Sequence, residues 1–228
     1  MRKLAASLTL GLVLSTATTF ASPSAQFEEG AVVLEVGSAL GSEVSGKGFA
    51  NLEVDGKSGF KSNLTVGLND RFAFQYRYGQ FKSKDATVEV SWGGTISPLT
   101  TYAADKLQDF NLLYKITPNL NLVAGYEYDK VTYGKYVQDA SKSVLHAGIA
   151  ANYPVSDKAS LFATLVGGKD VSLIEAGVSY KMSDITALNV CYAERKVNDM
   201  DVKIPDAGIN SAADYTMTGV TFMLAFKM

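Results

Sequence analysis

The residues of this chain that could do chemistry are few and scattered. Its single histidine, His146, could act as a general base or a metal ligand, but both roles need partners held at fixed positions. The run Val144-Leu145-His146-Ala147-Gly148 offers no Ser or Asp two residues away, so no catalytic dyad or triad is visible. Cys191 is the only cysteine, which rules out an intramolecular disulfide, and no His or Cys cluster accompanies it as a metal site would require. Asp199, Asp201, Asp206 and Asp214, with Lys203 among them, could attract calcium or a basic partner, yet their spacing is not that of a calcium loop. Gly125, Gly148, Gly177 and Gly219 build no phosphate-binding loop and are expected to relieve crowding within strands. The expectation is therefore no catalytic residues, no metal, no cofactor and no enzyme.

Six charged residues form a different pattern. Glu35, Arg77, Lys115, Glu127, Glu175 and Arg195 each sit in a run of alternating residues, on the face opposite the apolar side chains. Side chains alternate faces along a strand with period two. Arg71–Phe81 shows this most clearly: Phe72, Phe74, Tyr76 and Tyr78 share one face, and Arg71, Ala73, Gln75, Arg77 and Gly79 the other. Phe110–Ile116, Leu120–Tyr128, Leu145–Tyr153, Ile174–Tyr180, Leu188–Tyr192 and the segment around Thr218–Phe226 repeat it. Gly30–Leu40, Phe60–Leu68 and Ala159–Gly167 complete a set of ten strands, although Phe162 and Val166 give the last a less polar second face. The lengths, about nine to eleven residues, are what a tilted strand needs to cross a bilayer.

The expected fold is thus all-β, a closed antiparallel transmembrane barrel of about ten strands, with eight or twelve as alternatives. The complication is Ala86–Trp92, which also alternates and is read as a hairpin standing above the membrane. A soluble lipocalin-like barrel is the rival, and would turn its apolar face inward. Short turns at Asn69-Asp70, Thr117-Pro118-Asn119, Pro154–Lys158 and Met182-Ser183-Asp184 alternate with longer polar segments near 41–57, 82–105, 131–142 and 198–214. Gly167–Asp170 is a short exception. Short turns on one rim and long loops on the other is the arrangement of outer-membrane barrels, and an even strand count puts both termini with the short turns. Phe72, Tyr153 and Tyr180 beside those turns, and Tyr78, Tyr128, Tyr192 and Tyr215 toward the long loops, are expected to form two interfacial girdles.

The N-terminus is read separately. Arg2 and Lys3 precede an apolar run from Leu4 to Val13, and Thr19-Phe20-Ala21 is a small-x-small cleavage site. Residues 1–21 are expected to be a secretory signal peptide and 22–228 the barrel domain, with no Cys at the junction for a lipid anchor. A net charge of −2, from 21 basic and 23 acidic residues, gives no electrostatic footprint for nucleic acid.

Leu113–Tyr128, with the sequence LYKITPNLNLVAGYEY, resembles the strand–turn–strand unit of small bacterial outer-membrane β-barrel proteins, the porin-like class. Arg71–Tyr78 and Tyr180–Leu188 are similar to the same unit. The resemblance implies the outer membrane of a bacterium with two membranes, with outer-membrane lipid and the barrel-assembly machinery as partners. Such proteins often end on an aromatic residue; here Phe226 is followed by Lys227 and Met228. The class holds pores, structural barrels, adhesins and a few enzymes. Two functions follow as expectations: porin-like passage of small solutes, or a structural role in the envelope, with the six charges lining the lumen. The alternatives are a surface adhesin or receptor binding an extracellular ligand through its loops and, further off, a rim hydrolase.

Overall fold

The computed structural model describes residues 27–47, 52–92, 95–134, 137–205 and 209–228. The expected signal peptide lies outside the described residues, as does Asp206. Thirteen strands run β1 Val32–Lys47, β2 Leu52–Asp55, β3 Gly59–Gly67, β4 Phe72–Lys82, β5 Ala86–Trp92, β6 Thr95–Thr101 and β7 Ala103–Thr117. They continue as β8 Leu120–Tyr133, β9 Ala140–Pro154, β10 Ala159–Gly168, β11 Val171–Lys181, β12 Thr186–Ile204 and β13 Ile209–Lys227.

Ten of these close on themselves. The order β13-β12-β11-β10-β9-β8-β7-β4-β3-β1 is completed by a β1–β13 pairing, every neighbour antiparallel. Closure removes the unpaired edges that an open sheet would present. β2 is a short strap on the upper part of β1, fixed at its end by a Lys84–Asp55 ion pair of 2.8 Å. The Lys84 ammonium holds the Asp55 carboxyl below the usual carboxylate range. β5 and β6 pair only with each other, as a hairpin outside the ring of ten.

The four short turns are each wired by a side-chain oxygen that accepts from backbone N–H groups. Asn69 Oδ1 accepts from Arg71 and Phe72, and Thr117 Oγ1 accepts from Asn119. Ser156 Oγ accepts from Lys158 and Ala159, and Ser183 Oγ from Ile185 and Thr186. Such local bonding is why Asn, Ser and Thr stand there. Gly30 and Met228 also bond to the wall at this rim, Gly30 N to Gly67 O and Met228 N to Val32 O, so both described ends of the chain lie with the short turns.

At the other rim the segments read as long polar loops are largely strand. β1, β12 and β13 run for 16, 19 and 19 residues, well beyond what crossing a bilayer needs. The physical reason is that β-pairing continues above the membrane, where neither face has to be apolar. The β10–β11 hairpin stops much lower. Above it the chain entering β9 reaches β12: Gln138 N donates to Lys203 O, and Lys142 Nζ reaches Asn198 O as well as Asp170 Oδ2 in the β10–β11 turn.

Three single-residue register shifts interrupt the wall, one of them between Lys115 and Thr117 beside a short turn; the other two lie higher. Register shifts between Leu40 and Glu43 in β1, and between Val197 and Met200 in β12, where Asp199 adopts φ 52°. An inserted residue reverses which parity faces inward. Ala193, Arg195 and Val197 point inward below the β12 bulge, and Met200, Val202 and Ile204 above it.

The outside is the apolar side. Leu112, Leu122, Ile149, Leu165, Ile174 and Phe222 are exposed, and Leu165 sits in register with both Ile149 and Ile174. Their interior neighbours Asn111, Asn121, Thr164, Glu175 and Thr221 are buried. An apolar belt outside and polar groups inside is the pattern of a barrel solvated by lipid, and the reverse of a lipocalin. Phe72 packs on Tyr114 at 5.1 Å between ring centroids beside the short turns, where Tyr153 and Tyr180 are also exposed. Tyr215 departs from the expected girdle. It shares the inward parity of Ala213 and Met217 and packs inside against Tyr133.

Candidate functional site

The only place where functional side chains converge among the described residues is the lumen, and it is stratified. Nearest the short turns it is apolar. Val33, Ala187 and Ala225 form one cluster, and Ala73, Leu113, Val123 and Ala150 another, with Phe27 and Val166 packed against the second. Lys115 belongs to this end, its Nζ 5.2 Å from the centre of the Phe27 ring, apart from the other charges.

Above this floor lies a polar layer. Glu35 is fully buried and takes hydrogen bonds from Asn63 Nδ2 at 3.1 Å and Asn189 Nδ2 at 2.6 Å. Arg77 on β4 pairs with Glu175 on β11 at 3.1 Å, across the lumen. Arg195 on β12 meets three carboxylates, Asp105 at 3.3 Å, Glu127 at 2.6 Å, and Asp129. Between these pairs, Asn111 Nδ2 donates to Asp109 Oδ2 at 2.9 Å, and His146 Nε2 lies 2.8 Å from Asn111 Oδ1 and 3.4 Å from Asp109 Oδ1. Of the six lumen charges expected from the sequence, five therefore stand in this layer and Lys115 stands below it.

Sequence reasoning missed Lys61, Asp105, Asp109 and Asp129. The signal was present: Asp105, Leu107, Asp109 and Asn111 alternate on one face of β7, as Glu127 and Asp129 do on β8. Asp105 closes the polar segment 82–105, so composition around it masks the strand parity. His146 is buried beside a carboxylate after all, but the carboxylate comes from β7, two strands away, and not from its own strand.

The layer is acidic. Glu35, Asp105, Asp109, Glu127, Asp129 and Glu175 face Lys61, Arg77 and Arg195. Charges taken out of water must be paired or hydrated. A cavity of about 50 Å³ remains among Lys61, Arg77, Asp109, Glu127 and Arg195, room for a few waters and no more.

The upper end is closed by apolar groups. Val131, Ala140, Val197 and Met200 cluster there, with Tyr133 and Tyr215 partly buried above them and their hydroxyls 2.6 Å apart.

No family model matches the chain, and no curated protein does. Solved structures similar to it include Ail, the attachment invasion locus protein of Yersinia pestis, at 11% identity and a TM-score of 0.39 over 88% of this chain and 99% of that one. The outer membrane protein OprG from Pseudomonas aeruginosa gives 12% and 0.43, over 88% and 97%. The translocator domain of autotransporter NalP from Neisseria meningitidis gives 13% and 0.47, over 87% and 88%.

Proposed function

We propose that this chain is an outer-membrane β-barrel whose lumen is a structural ion-pair core, and that it meets its surroundings through the strands that rise above the membrane. The observation that carries this reading is the filling of the lumen. An apolar floor, a cross-linked charged layer and an apolar, tyrosine-capped upper end leave small cavities, one of about 50 Å³ beside the charged layer and one of about 20 Å³ among Val131, Val197 and Met200 above it. A ten-stranded barrel has little free width to begin with, and here side chains take it up.

The porin-like alternative uses the same six charges as the lining of a path. It would require Arg195 and its three carboxylates to part. Planar-bilayer recording of refolded protein separates the two. The expected result is no resolvable channels at neutral pH; stepwise conductance that changes when Arg77 or Glu127 is substituted would overturn the structural reading.

A receptor or adhesin role fits the same architecture and draws on a specific feature. The upper parts of β1, β12 and β13, the β2 strap and the β5–β6 hairpin form an extended rim that the bilayer does not need. Loops and rims on a rigid scaffold are where binding is usually carried. Deleting residues 86–101 would remove the hairpin and leave the ring of ten intact, so cell or matrix binding that disappears with it would locate the contact there.

A further inference from the structure

We infer that the lumen holds a binding site for one divalent transition-metal ion, formed by Asp109, Glu127 and His146. These residues come from β7, β8 and β9, and one ligand atom from each lies within 4.8 Å of the other two. Donors around an ion at about 2.0–2.2 Å stand roughly 3–4.4 Å apart, so small side-chain adjustments would close the set. All three are buried.

Three further observations point to a ligand rather than to a chance meeting of acids. Asp109 Oδ1 is buried, faces His146 Nε2 at 3.4 Å and makes no hydrogen bond. The ring nitrogen turned toward it, His146 Nε2, belongs to a side chain only 1% exposed. A native fold rarely leaves an atom such as Asp109 Oδ1 unsatisfied without a reason. The second is Gly125, in register between Asn111 and His146. A Cβ there would lie 2.2 Å from Asn111 Oδ1 and 2.6 Å from His146 Nε2, so the absence of a side chain is what lets these two groups meet. The third is charge. Acidic side chains outnumber basic ones in the layer, six to three, and two of them, Asp109 and Glu127, are placed to hold a cation between them.

The donor set selects the ion. One imidazole with two carboxylates suits zinc, manganese or a similar first-row ion better than calcium or magnesium, which prefer all-oxygen cages. Asn111 Oδ1 can supply a fourth donor, and the adjoining cavity, lined by Asp109 and Glu127, has room for a water ligand. Arg195 already occupies Glu127 Oε1 at 2.6 Å, which orients the carboxylate as an outer partner does around a metal. In sequence the three ligands are 18 and 19 residues apart, a spacing set by two hairpins and not by a local motif.

The test uses full-length protein refolded without a histidine tag, so that His146 is the only imidazole present. Protein refolded in the presence of Zn2+ and then dialysed to equilibrium is expected to hold one ion per chain. Cu2+ bound in its place is expected to give the electron spin-echo modulation of a single imidazole. His146→Gln and Asp109→Asn should each weaken Zn2+ binding by about tenfold or more in protein that still shows the heat-dependent gel shift of a folded barrel, while Glu194→Gln, on the opposite, outward face of β12 from Arg195, should not. Failure to bind stoichiometric Zn2+, a Cu2+ spectrum without the imidazole signal, or unchanged binding by folded His146→Gln would each overturn the proposal. Should the variants fail to fold, the Cu2+ spectrum of the unaltered chain decides alone.

Discussion

Arg195, on β12, donates to Glu127, on β8, at 2.6 Å across the interior of the barrel. The two strands share no backbone pairing, and β9, β10 and β11 separate them in the wall. The same guanidinium also meets Asp105 on β7 and Asp129 on β8. One side chain thus ties opposite walls together through a fork that suits several carboxylates at once. Arg77 and Glu175 make a second tie of this kind between β4 and β11.

Removing the cation from this arrangement should therefore be costly. Arg195→Met leaves Asp105, Glu127 and Asp129 buried with no counter-ion, and a broken buried pair costs about 3–5 kcal/mol. Urea titration of the refolded barrel in lipid vesicles should show a loss of that order. Arg195→Lys keeps the charge but loses the fork, and should recover part of it. A loss under about 1 kcal/mol for Arg195→Met would mean that the carboxylates were not relying on it.

How much of this was legible beforehand differs by level. The ten wall strands follow from alternation alone, because lipid outside and polar groups inside impose period two on each of them. The inward direction of Arg77, Glu127 and Arg195 follows from the same parity. Parity also placed Tyr215 inward, with Gly219 and Thr221, but its position near a loop suggested a girdle instead. Above the membrane the signal fades, since both faces of β12 and β13 meet water or protein there. The bulge at Asp199 then reverses parity, which no local pattern announces. The meeting of Asp109, Glu127 and His146 depends on the register of two hairpins. A one-residue slip in either would turn a ligand toward lipid.

The outward apolar belt gives a depth-dependent prediction. Leu112 is about half exposed, on the outer face of β7 some way from either end of the strand. Leu112→Arg places a charge against hydrocarbon, at a cost of about 2–4 kcal/mol near the bilayer midplane. The same substitution at Leu40, close to the long rim, should cost about 1 kcal/mol or less. Equal losses at both positions, measured by reversible unfolding in vesicles, would contradict the membrane placement.

Crowding between neighbouring strands predicts opposite fates for two glycines. A Cβ on Gly148 would meet Leu165 O at 2.0 Å and Val166 Cα at 2.7 Å, both backbone atoms that cannot step aside. Gly148→Ala should cost about 1–3 kcal/mol or prevent closure of the β9–β10 wall. Gly167 has nothing within 4 Å of the corresponding point, so Gly167→Ala should be neutral or slightly stabilising. Folding yield and urea midpoint for the pair check both.

Small reagents can report whether the lumen is filled. Cys191, Met217 and Met223 all face inward and are buried, whereas Met182 and Met228 are largely exposed. In folded protein a small charged thiol reagent should leave Cys191 unmodified, and hydrogen peroxide should oxidise Met182 and Met228 well before Met217 and Met223. Unfolding in urea should abolish the difference. A water-filled lumen would let both reagents reach the inner residues from either rim, at rates close to those of the exposed ones. Modification of Cys191 within the folded barrel would therefore count directly against a closed core, and its site would show how far down the path opens. Peptide mass spectrometry reads the methionine pattern and the thiol label in the same sample.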